Sequence, residues 1–455
     1  MKQKKRIHFV GVGGMGLSAL AQLASWEGCR VSGSDRDFDA GRFPSLKKIL
    51  QREGITVVPQ DGSGSKGADT VVISPAVEDH IPDVAAARKA GIGIASRWDF
   101  LKRLSRGKKV LAVSGTNGKS TTTALLGWIL QQNGFDPSLV LGAVLKEKGK
   151  GRGNARRGDS EWFCLEADES DGGIAGLHSY LAVITNITPD HFPLSRLDAL
   201  FASFAENCEK VLISNADCPR SRKLSVSRRI TFATESDADF RAEGIELRPA
   251  RSLFRVSGEN FEIPLAGLHN VRNALASAAA ASALGISPRS SAAALRSFPG
   301  LERRSEVIFS GDVTVIDDYA HNPAKVEAAL GAARLWGERV VAVYQPHGFA
   351  PLRNLLSELA GAFHRSLRSG DQLLLLPVYY AGGTVEKSIG PGDLKKEIGK
   401  PSAVFTMAGK DAVLTHLKND LRRGDVVLVM GGRDPGLGGL SRRIAQLIKA
   451  PGGLF

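Results

Sequence analysis

The stretch Val110-Leu111-Ala112-Val113-Ser114-Gly115-Thr116-Asn117-Gly118-Lys119-Ser120-Thr121 decides the reading of this chain. Four apolar residues in a row suit a strand buried on both faces, as in a parallel sheet. The Gly115–Gly118 turn follows, and then a pattern that reads as a helix to about Gln132. Glycines at such a turn let backbone N–H groups converge on phosphate oxygens, and the helix N-terminus adds partial positive charge. A lysine there can reach the terminal phosphates of a nucleotide, and the neighbouring hydroxyl can ligate Mg²⁺. The spacing is shorter than the common phosphate loop, since Val113 stands where its first glycine belongs. The turn is therefore read as a variant loop, with Gly115, Thr116, Asn117, Gly118, Lys119, Ser120 and Thr121 as ATP-binding candidates.

Strands alternate with helices on both sides of this stretch, which predicts an α/β protein with largely parallel sheets. Upstream lie strand Ile7–Val10, a helix from Met15 to Trp26, strand Arg30–Gly33, and short strands at Thr56–Val58 and Thr70–Ile73. Lys102–Lys109 is basic and poor in apolar residues, and reads as a linker. Downstream, strand Trp162–Leu165 runs into the acidic patch Glu166–Asp171, and strand Leu181–Thr185 runs into Asn186–His191. Residues 210–265 read as short strands with turns, followed by an alanine-rich helix over Val271–Leu284. Strands at Val313–Ile316, Val340–Val343, Gln372–Leu376 and Val426–Val429 alternate with helices in the last third. Lys146–Arg157, rich in basic residues and glycine, reads as an exposed loop.

With 455 residues, 43% of them hydrophobic, the chain is too long for one ordinary core. The expected division is residues 1–106, 107–300 and 301–455. A formal net charge of +13 favours anionic partners. Aromatic residues do not interleave with the charges of 146–157 as a stacking platform would require, which argues against nucleic acid. No segment has the ~20 apolar residues of a membrane span. The four cysteines, Cys29, Cys164, Cys208 and Cys218, form no C-x-x-C pair and read as reduced thiols of a cytoplasmic protein.

A second glycine turn, Gly11-x-Gly13-Gly14-x-Gly16, follows the first strand and precedes Met15–Trp26. Asp35 ends the second strand, where a ribose-binding acid would stand. The motif reports a diphosphate at a helix N-terminus. A UDP-sugar, a nicotinamide dinucleotide or a plain structural turn each satisfies it. A nicotinamide-dependent oxidoreductase is thus an alternative function, although nothing downstream reads as a hydride-transfer domain. A non-catalytic binding protein is another, against which the intact Lys119, Ser120, Glu166 and His191 argue.

Taken in order, Gly115-Thr-Asn-Gly-Lys-Ser120, Glu166-Ala-Asp-Glu-Ser-Asp171, Thr185-Asn-Ile-x-x-Asp-His191, His269-Asn-Val-x-Asn-Ala274, Arg304-x-Glu306 and Asp317-Asp-Tyr-Ala-His-x-Pro323 resemble the motifs of the Mur ligases across essentially the whole chain. Each piece is weak and the joint pattern is specific. The resemblance implies three domains: an N-terminal Rossmann-like domain for a UDP-sugar, a central P-loop-type ATPase, and a C-terminal Rossmann-like domain that brings an amino acid. It implies ATP-dependent amide formation on the carboxylate of UDP-N-acetylmuramate through an acyl phosphate, in peptidoglycan precursor synthesis. By resemblance, Lys119, Glu166, His191 and Arg304 are catalytic, and Ser120, Glu166 and His191 hold Mg²⁺. Asn270 and Asn273 lie near adenine, Arg304 contacts phosphates and Asp318 the ribose. Gly11, Gly13, Gly14, Met15, Gly16, Ser34, Asp35 and Ser74 bind the UDP-sugar, and the stretch Asn154-Ala-Arg-Arg-Gly158 is similar to one that the family places near the substrate.

The run Glu166–Asp171, the glycine start and Tyr344-Gln-Pro-His347 are similar to the alanine-adding branch, as is the lack of lysine between His191 and Lys210. That branch usually has His-His-Pro where this chain has His321-Asn322-Pro323, and Pro-His-Arg-Tyr where it has Pro346-His347-Gly348-Phe349. Glycine cannot replace an arginine as a bidentate carboxylate clamp. The amino-acid set is therefore His321, Asn322 and His347, with Arg433 as the substitute clamp. A sibling ligase that adds another amino acid or a peptide is the alternative within the family.

Overall fold

The computed structural model describes residues 4–449 except 76, 148, 150, 190–191, 381–385 and 401–402. It is an α/β protein whose strands fall into four sheets. The first contains β1 (Arg6–Val10), β2 (Arg30–Ser34), β3 (Ile55–Val57), β4 (Thr70–Ile73) and β5 (Ile94–Ser96), in the order β3-β2-β1-β4-β5. All its pairings are parallel. The order reverses at β1, and β1 feeds the first glycine turn, so a crevice opens at the strand ends where α/β sheets take ligands.

The second sheet contains β6 (Lys109–Ser114), β7 (Ser138–Val140), β8 (Ala155–Arg156), β9 (Trp162–Glu166), β10 (Ser179–Ile184), β11 (Cys208–Asn215), β12 (Arg229–Ala233) and β13 (Phe240–Arg241). Its order is β13-β12-β11-β10-β6-β9-β7-β8. β6 is central, with β9 on one side and β10 on the other, both parallel to it. The acidic patch after β9 and the polar segment after β10 therefore flank the phosphate loop. The apolar residues Val110–Val113 are all buried, as their uninterrupted hydrophobicity requires.

The chain divides into two compact units. The first takes in residues 1–242, 256–259 and 272–299 and holds both sheets just described. One apolar core runs through it and includes Phe9, Leu20, Trp98, Phe100, Val110, Phe163 and Phe201. The second takes in residues 243–255, 260–271 and 300–455. It holds most of a small sheet of β14 (Glu243–Arg248), β15 (Arg251–Val256) and β16 (Glu259–Ile263). It also holds a six-stranded sheet of β17 (Glu306–Ser310), β18 (Thr314–Asp318), β19 (Val340–Gln345), β20 (Gln372–Leu375), β21 (Val404–Thr406) and β22 (Val426–Gly431), ordered β17-β18-β22-β19-β20-β21. Val340, Ala342 and Tyr344 face one core while Val341 and Val343 face the other, the two-residue alternation of a strand covered on both sides.

Three local expectations need correction. Lys102–Leu104 is not linker but the last turn of the helix Arg97–Leu104, which buries Trp98, Phe100, Leu101 and Leu104 on one side and exposes Asp99 and Lys102 on the other. The third strand begins and ends one residue earlier than expected. The segment 146–157 is no solvated loop at its C-terminal end: Asn154 and Ala155 are buried, and Ala155–Arg156 pairs antiparallel with β7. His8, without a motif in the sequence, fills the first core and bonds Ser32 and Asp83. All four cysteines are free. Among the described residues no helix is long and apolar enough to cross a membrane.

Candidate active site

The loop after β6 is fastened to the segment after β10. Thr116 N–H donates to Asn186 O at 3.0 Å and Asn117 N–H to the Asn186 side-chain oxygen at 3.1 Å. The Thr185 hydroxyl donates to Asn117 O at 2.6 Å. Gly115 has φ +130° and Gly118 φ +86°, conformations that side-chain-bearing residues avoid. A Cβ on Gly115 would stand 2.1 Å from the Thr185 hydroxyl, and one on Gly118 2.3 Å from Asn273 Oδ1. The helix Lys119–Gln132 starts at the end of this turn, with Ser120 and Thr121 buried in its first turn.

Lys119 curls back over its own loop. Its Nζ donates to Gly115 O at 2.8 Å and to Glu169 Oε2 at 2.7 Å, and lies 3.7 Å from Asp168. Burial disfavours its charge, but Glu169 and then Asp168 outweigh that and hold its pKa above the ordinary lysine value. Burial pushes Asp168 up, yet Lys119 and Arg97 bring it down to about 2. Glu169 is pushed up, because its burial outweighs the attraction of Lys119. Its Oε1 is buried without a hydrogen-bond partner.

Glu166, at the end of β9, accepts the Ser120 hydroxyl at 3.0 Å on Oε1 and Gly142 N–H at 2.6 Å on Oε2. Two oxygens bound side by side in an octahedral Mg²⁺ shell at 2.0–2.1 Å lie about 2.9 Å apart. The Ser120–Glu166 pair thus has the span of two such ligands. Among the described residues no three His, Cys, Asp or Glu side chains gather as a metal cluster. This donor set fits an ion that keeps waters and phosphate oxygens. His191 lies outside the described residues.

Asn273 and Asn270 sit on one helix, Leu268–Ser282, and both are buried. Asn273 Oδ1 accepts from Thr122 at 3.3 Å, which ties that helix to the helix behind the phosphate loop. Asn270 donates to Ala266 O.

At the first glycine turn, Gly11 and Val12 N–H donate to Ser34 O, and Gly14 N–H to Gly11 O. Asp35 accepts Gly13 N–H at 2.8 Å and caps the short helix Arg36–Asp39 through Asp37 N–H. Its carboxylate is built into the turn itself. Ser74, just after β4, accepts Val77 N–H on its backbone oxygen in a local turn. The segment 146–157 reaches this turn: Asn154 Nδ2 donates to Met15 O at 2.7 Å, and Arg152 Nη1 to Gly13 O at 2.9 Å. Gly16 lies beneath the Arg97 side chain.

In the second unit, β18, β22 and β19 are adjacent and parallel, and their C-terminal ends carry His321, Arg433 and His347. The two imidazoles stack edge to face with centroids 4.6 Å apart. His321 Nδ1 faces Tyr319 O at 2.8 Å, which assigns the proton to Nδ1 and leaves the Nε2 lone pair toward Lys325 Nζ, 3.4 Å away. Burial, then Lys325 and His347, push its pKa well below the usual value, so it is neutral. Asn322 is the N-cap of Pro323–Ala333 and accepts Lys325 N–H. Arg433 is exposed. Arg304 lies over the Tyr319 ring at 4.7 Å, between Arg303 and Ser305, both held at positive φ. Asp318 accepts Ser305 and Ala320 N–H.

Several residues of these sites were not singled out in the sequence. Asp168 and Glu169 belong to a run recognised only as a possible metal patch, although the need to neutralise a buried lysine could have assigned them. Lys325 stands four residues after His321, one helical turn away. Arg97 and Arg152 carry no local signal.

Comparison with known proteins agrees along the whole chain. Residues 6–109 match the Mur ligase family catalytic domain, 113–281 the Mur ligase middle domain, and 303–433 the Mur ligase glutamate ligase domain. A UDP-N-acetylmuramate–L-alanine ligase of Novosphingobium aromaticivorans is 35% identical, over 94% of this chain and 94% of the relative. This chain belongs to the Mur ligase family. Another relative with that name, from Gloeobacter violaceus, is 34% identical over 97% of this chain and 95% of its own length. The crystal structure of UDP-N-acetylmuramate-alanine ligase MurC from Thermotoga maritima superposes with a TM-score of 0.80 at 26% identity, over 97% of this chain and 98% of that one. As a Mur ligase the protein is an enzyme that forms its product at the expense of ATP.

Proposed function

We propose that this Mur ligase joins L-alanine to the carboxylate of UDP-N-acetylmuramate, with Mg²⁺, in the building of peptidoglycan precursors. The observation that carries the reading is the arrangement around β6: a glycine turn bolted to Thr185–Thr188, a charged lysine on it, and Glu166 and Ser120 at magnesium-ligand spacing. The names of the relatives support the choice of substrates.

In this reading residues 1–106 take the sugar nucleotide, 107–300 ATP, and 301–455 the amino acid. The carboxylate attacks the γ-phosphoryl group in line, and the resulting acyl phosphate is attacked by the amine of alanine to give an amide, ADP and phosphate. Lys119 exchanges its contact with Gly115 O for phosphate oxygens and spreads the charge that develops there. Bound Mg²⁺, held by Ser120 and Glu166 with His191 as a further candidate, would neutralise triphosphate charge. Asn270 and Asn273 serve the adenine, Asp318 the ribose, and Arg304 the phosphates. The neutral His321, whose Nε2 lone pair faces Lys325 Nζ, can take a hydrogen bond or a proton from the incoming ammonium group when that contact is exchanged. His347 and Lys325, both in contact with His321, and the exposed Arg433 after β22 are the candidates to receive its carboxylate.

Phosphate release tests the reading. Purified protein with ATP and Mg²⁺ should release phosphate only when both UDP-N-acetylmuramate and an amino acid are present, and L-alanine should give the highest kcat/KM in a screen across amino acids. Release with another amino acid or a peptide in preference would reassign the substrate. Failure to release phosphate with any acceptor would overturn the reading.

A further inference from the structure

Asp171 closes the acidic run that begins at Glu166, yet it takes no part in holding Lys119. It ends the single-turn helix Glu169–Asp171, whose other end is the lysine's partner Glu169. Its own partners come from the first sheet's last helix, Arg97–Leu104. Oδ2 accepts from Arg97 Nη2 at 2.9 Å, and Oδ1 accepts from the Trp98 indole at 2.5 Å and from Gly173 N–H at 3.1 Å. The pair is largely buried, with side-chain exposures of 23% for Arg97 and 9% for Asp171. Trp98 packs directly against the backbone here: a Cβ on Gly173 would fall 2.0 Å from its indole nitrogen.

The same arginine covers the first glycine turn. A Cβ on Gly16 would stand 3.1 Å from Arg97 Nη1 and 3.2 Å from its Cδ. One guanidinium thus lies between the last glycine of the sugar-nucleotide turn, Gly16, and the acidic helix whose far end holds the ATP lysine. Because a guanidinium has five N–H donors in a fixed fork, Nη1 can turn toward an anion at Gly16 while Nη2 keeps Asp171. Asp171 and Glu169 share one tight helical turn, so a displacement of one is carried to the other. Glu169 binds Lys119 through one oxygen only, its second being buried and unpartnered, so its hold is sensitive to small movements.

We infer that Arg97, locked by Asp171 and Trp98, is a positioning residue that couples occupancy of the first glycine turn to the placement of Lys119. This rests on the assignment of a sugar nucleotide to the first turn and ATP to the second. A ligase that forms a reactive acyl phosphate gains from such a link, since the ATP lysine is then set for reaction only when the acceptor is in place. The link is reciprocal: whatever factor the sugar nucleotide applies to ATP affinity, ATP applies to the sugar nucleotide.

The test is calorimetric titration of a non-hydrolysable ATP analogue with Mg²⁺, with and without saturating UDP-N-acetylmuramate, on the full chain. The ratio of the two dissociation constants should be about fivefold or more in the wild type, within the usual range of such couplings. It should fall to about one in Arg97→Ala and in the isosteric Asp171→Asn, while each ligand alone still binds. Asp171→Asn can keep the acceptor for Trp98 but turns an amide donor toward Arg97 Nη2, so it removes both the charge and the hydrogen bond there and reports even if Arg97→Ala folds poorly. Arg97→Lys should restore part of the ratio. A contact that merely glued the sheets together would lower the denaturation midpoint and leave the ratio intact. A ratio preserved in both variants, or absent from the wild type, overturns the inference. Phosphate release by the wild-type protein with UDP-N-acetylmuramate and alanine, measured in parallel, reports separately on the functional reading.

Discussion

Replacing Lys119 by alanine removes more than a phosphate contact. Glu169 is fully buried, and its principal cation is Lys119 at 2.7 Å. Truncating one member of a buried ion pair typically costs 3–5 kcal/mol, most of it the penalty of the stranded charge. Glu169 has an escape, because it can take a proton. At pH 7, protonating a carboxylate whose unfolded pKa is about 4.3 costs roughly 3.5 kcal/mol, at 1.36 kcal/mol per unit. That sets a ceiling of about 3–4 kcal/mol on the electrostatic loss.

The sign of the pH dependence follows. In Lys119→Ala the folded-state pKa of Glu169 is raised above its unfolded value, so the folded protein binds more protons and stability falls as pH rises. Burial already raises Glu169 in the wild type, so the destabilisation relative to wild type should shrink from pH 7 toward pH 5 by at most about 1.4 kcal/mol per unit. The double variant Lys119→Ala/Glu169→Gln carries no stranded charge. It should regain most of the lost stability at pH 7 and lose the pH dependence, while phosphate release stays lower by orders of magnitude in both variants. Urea unfolding at pH 5, 6 and 7, beside the phosphate assay, checks both halves. A double variant no more stable than the single one would refute the ion-pair account, and wild-type turnover in Lys119→Ala would remove the lysine from the chemistry.

Gly142→Ala would put a Cβ 2.6 Å from Glu166 Oε1 and push that carboxylate off Ser120. Half-saturating Mg²⁺ should rise about tenfold, as for loss of other groups that orient metal ligands, and an unchanged magnesium titration would count against the Ser120–Glu166 site. Gly115→Ala combines a left-handed backbone with a 2.1 Å clash at Thr185. It should cost at least 1–3 kcal/mol and abolish ATP-analogue binding, which calorimetry would show. Asn154→Ala removes hydrogen bonds to Met15 O, Ser18 and Gln22 in a buried site. A loss of about 2–3 kcal/mol is expected, together with weaker UDP-N-acetylmuramate binding, and a normal dissociation constant would detach this segment from the sugar-nucleotide turn.

The parts of this molecule that could be read from its sequence are those in which a few consecutive residues carry the whole physical cause. The four apolar residues Val110–Val113 force a buried central strand, and glycines at the required backbone angles follow it, so the strand–turn–helix course around β6 was legible. Asn322-Pro323 is also a local helix-start signal, which the reading of Asn322 as an amino-acid ligand passes over, and the structure uses Asn322 as that cap. What escaped was every feature whose cause lies far along the chain. The run 146–157 looks like a solvated loop because its basic residues and glycines are polar or flexible in isolation. Asn154 is buried only because Gln22 and Met15, more than a hundred positions earlier, supply its partners. Asp171 looks like one more acid in a metal patch until Arg97 and Trp98 take both its oxygens. A buried polar group needs a partner but does not say where in the chain that partner is, so sequence periodicity finds strands and helices more readily than the contacts that set Lys119 in place.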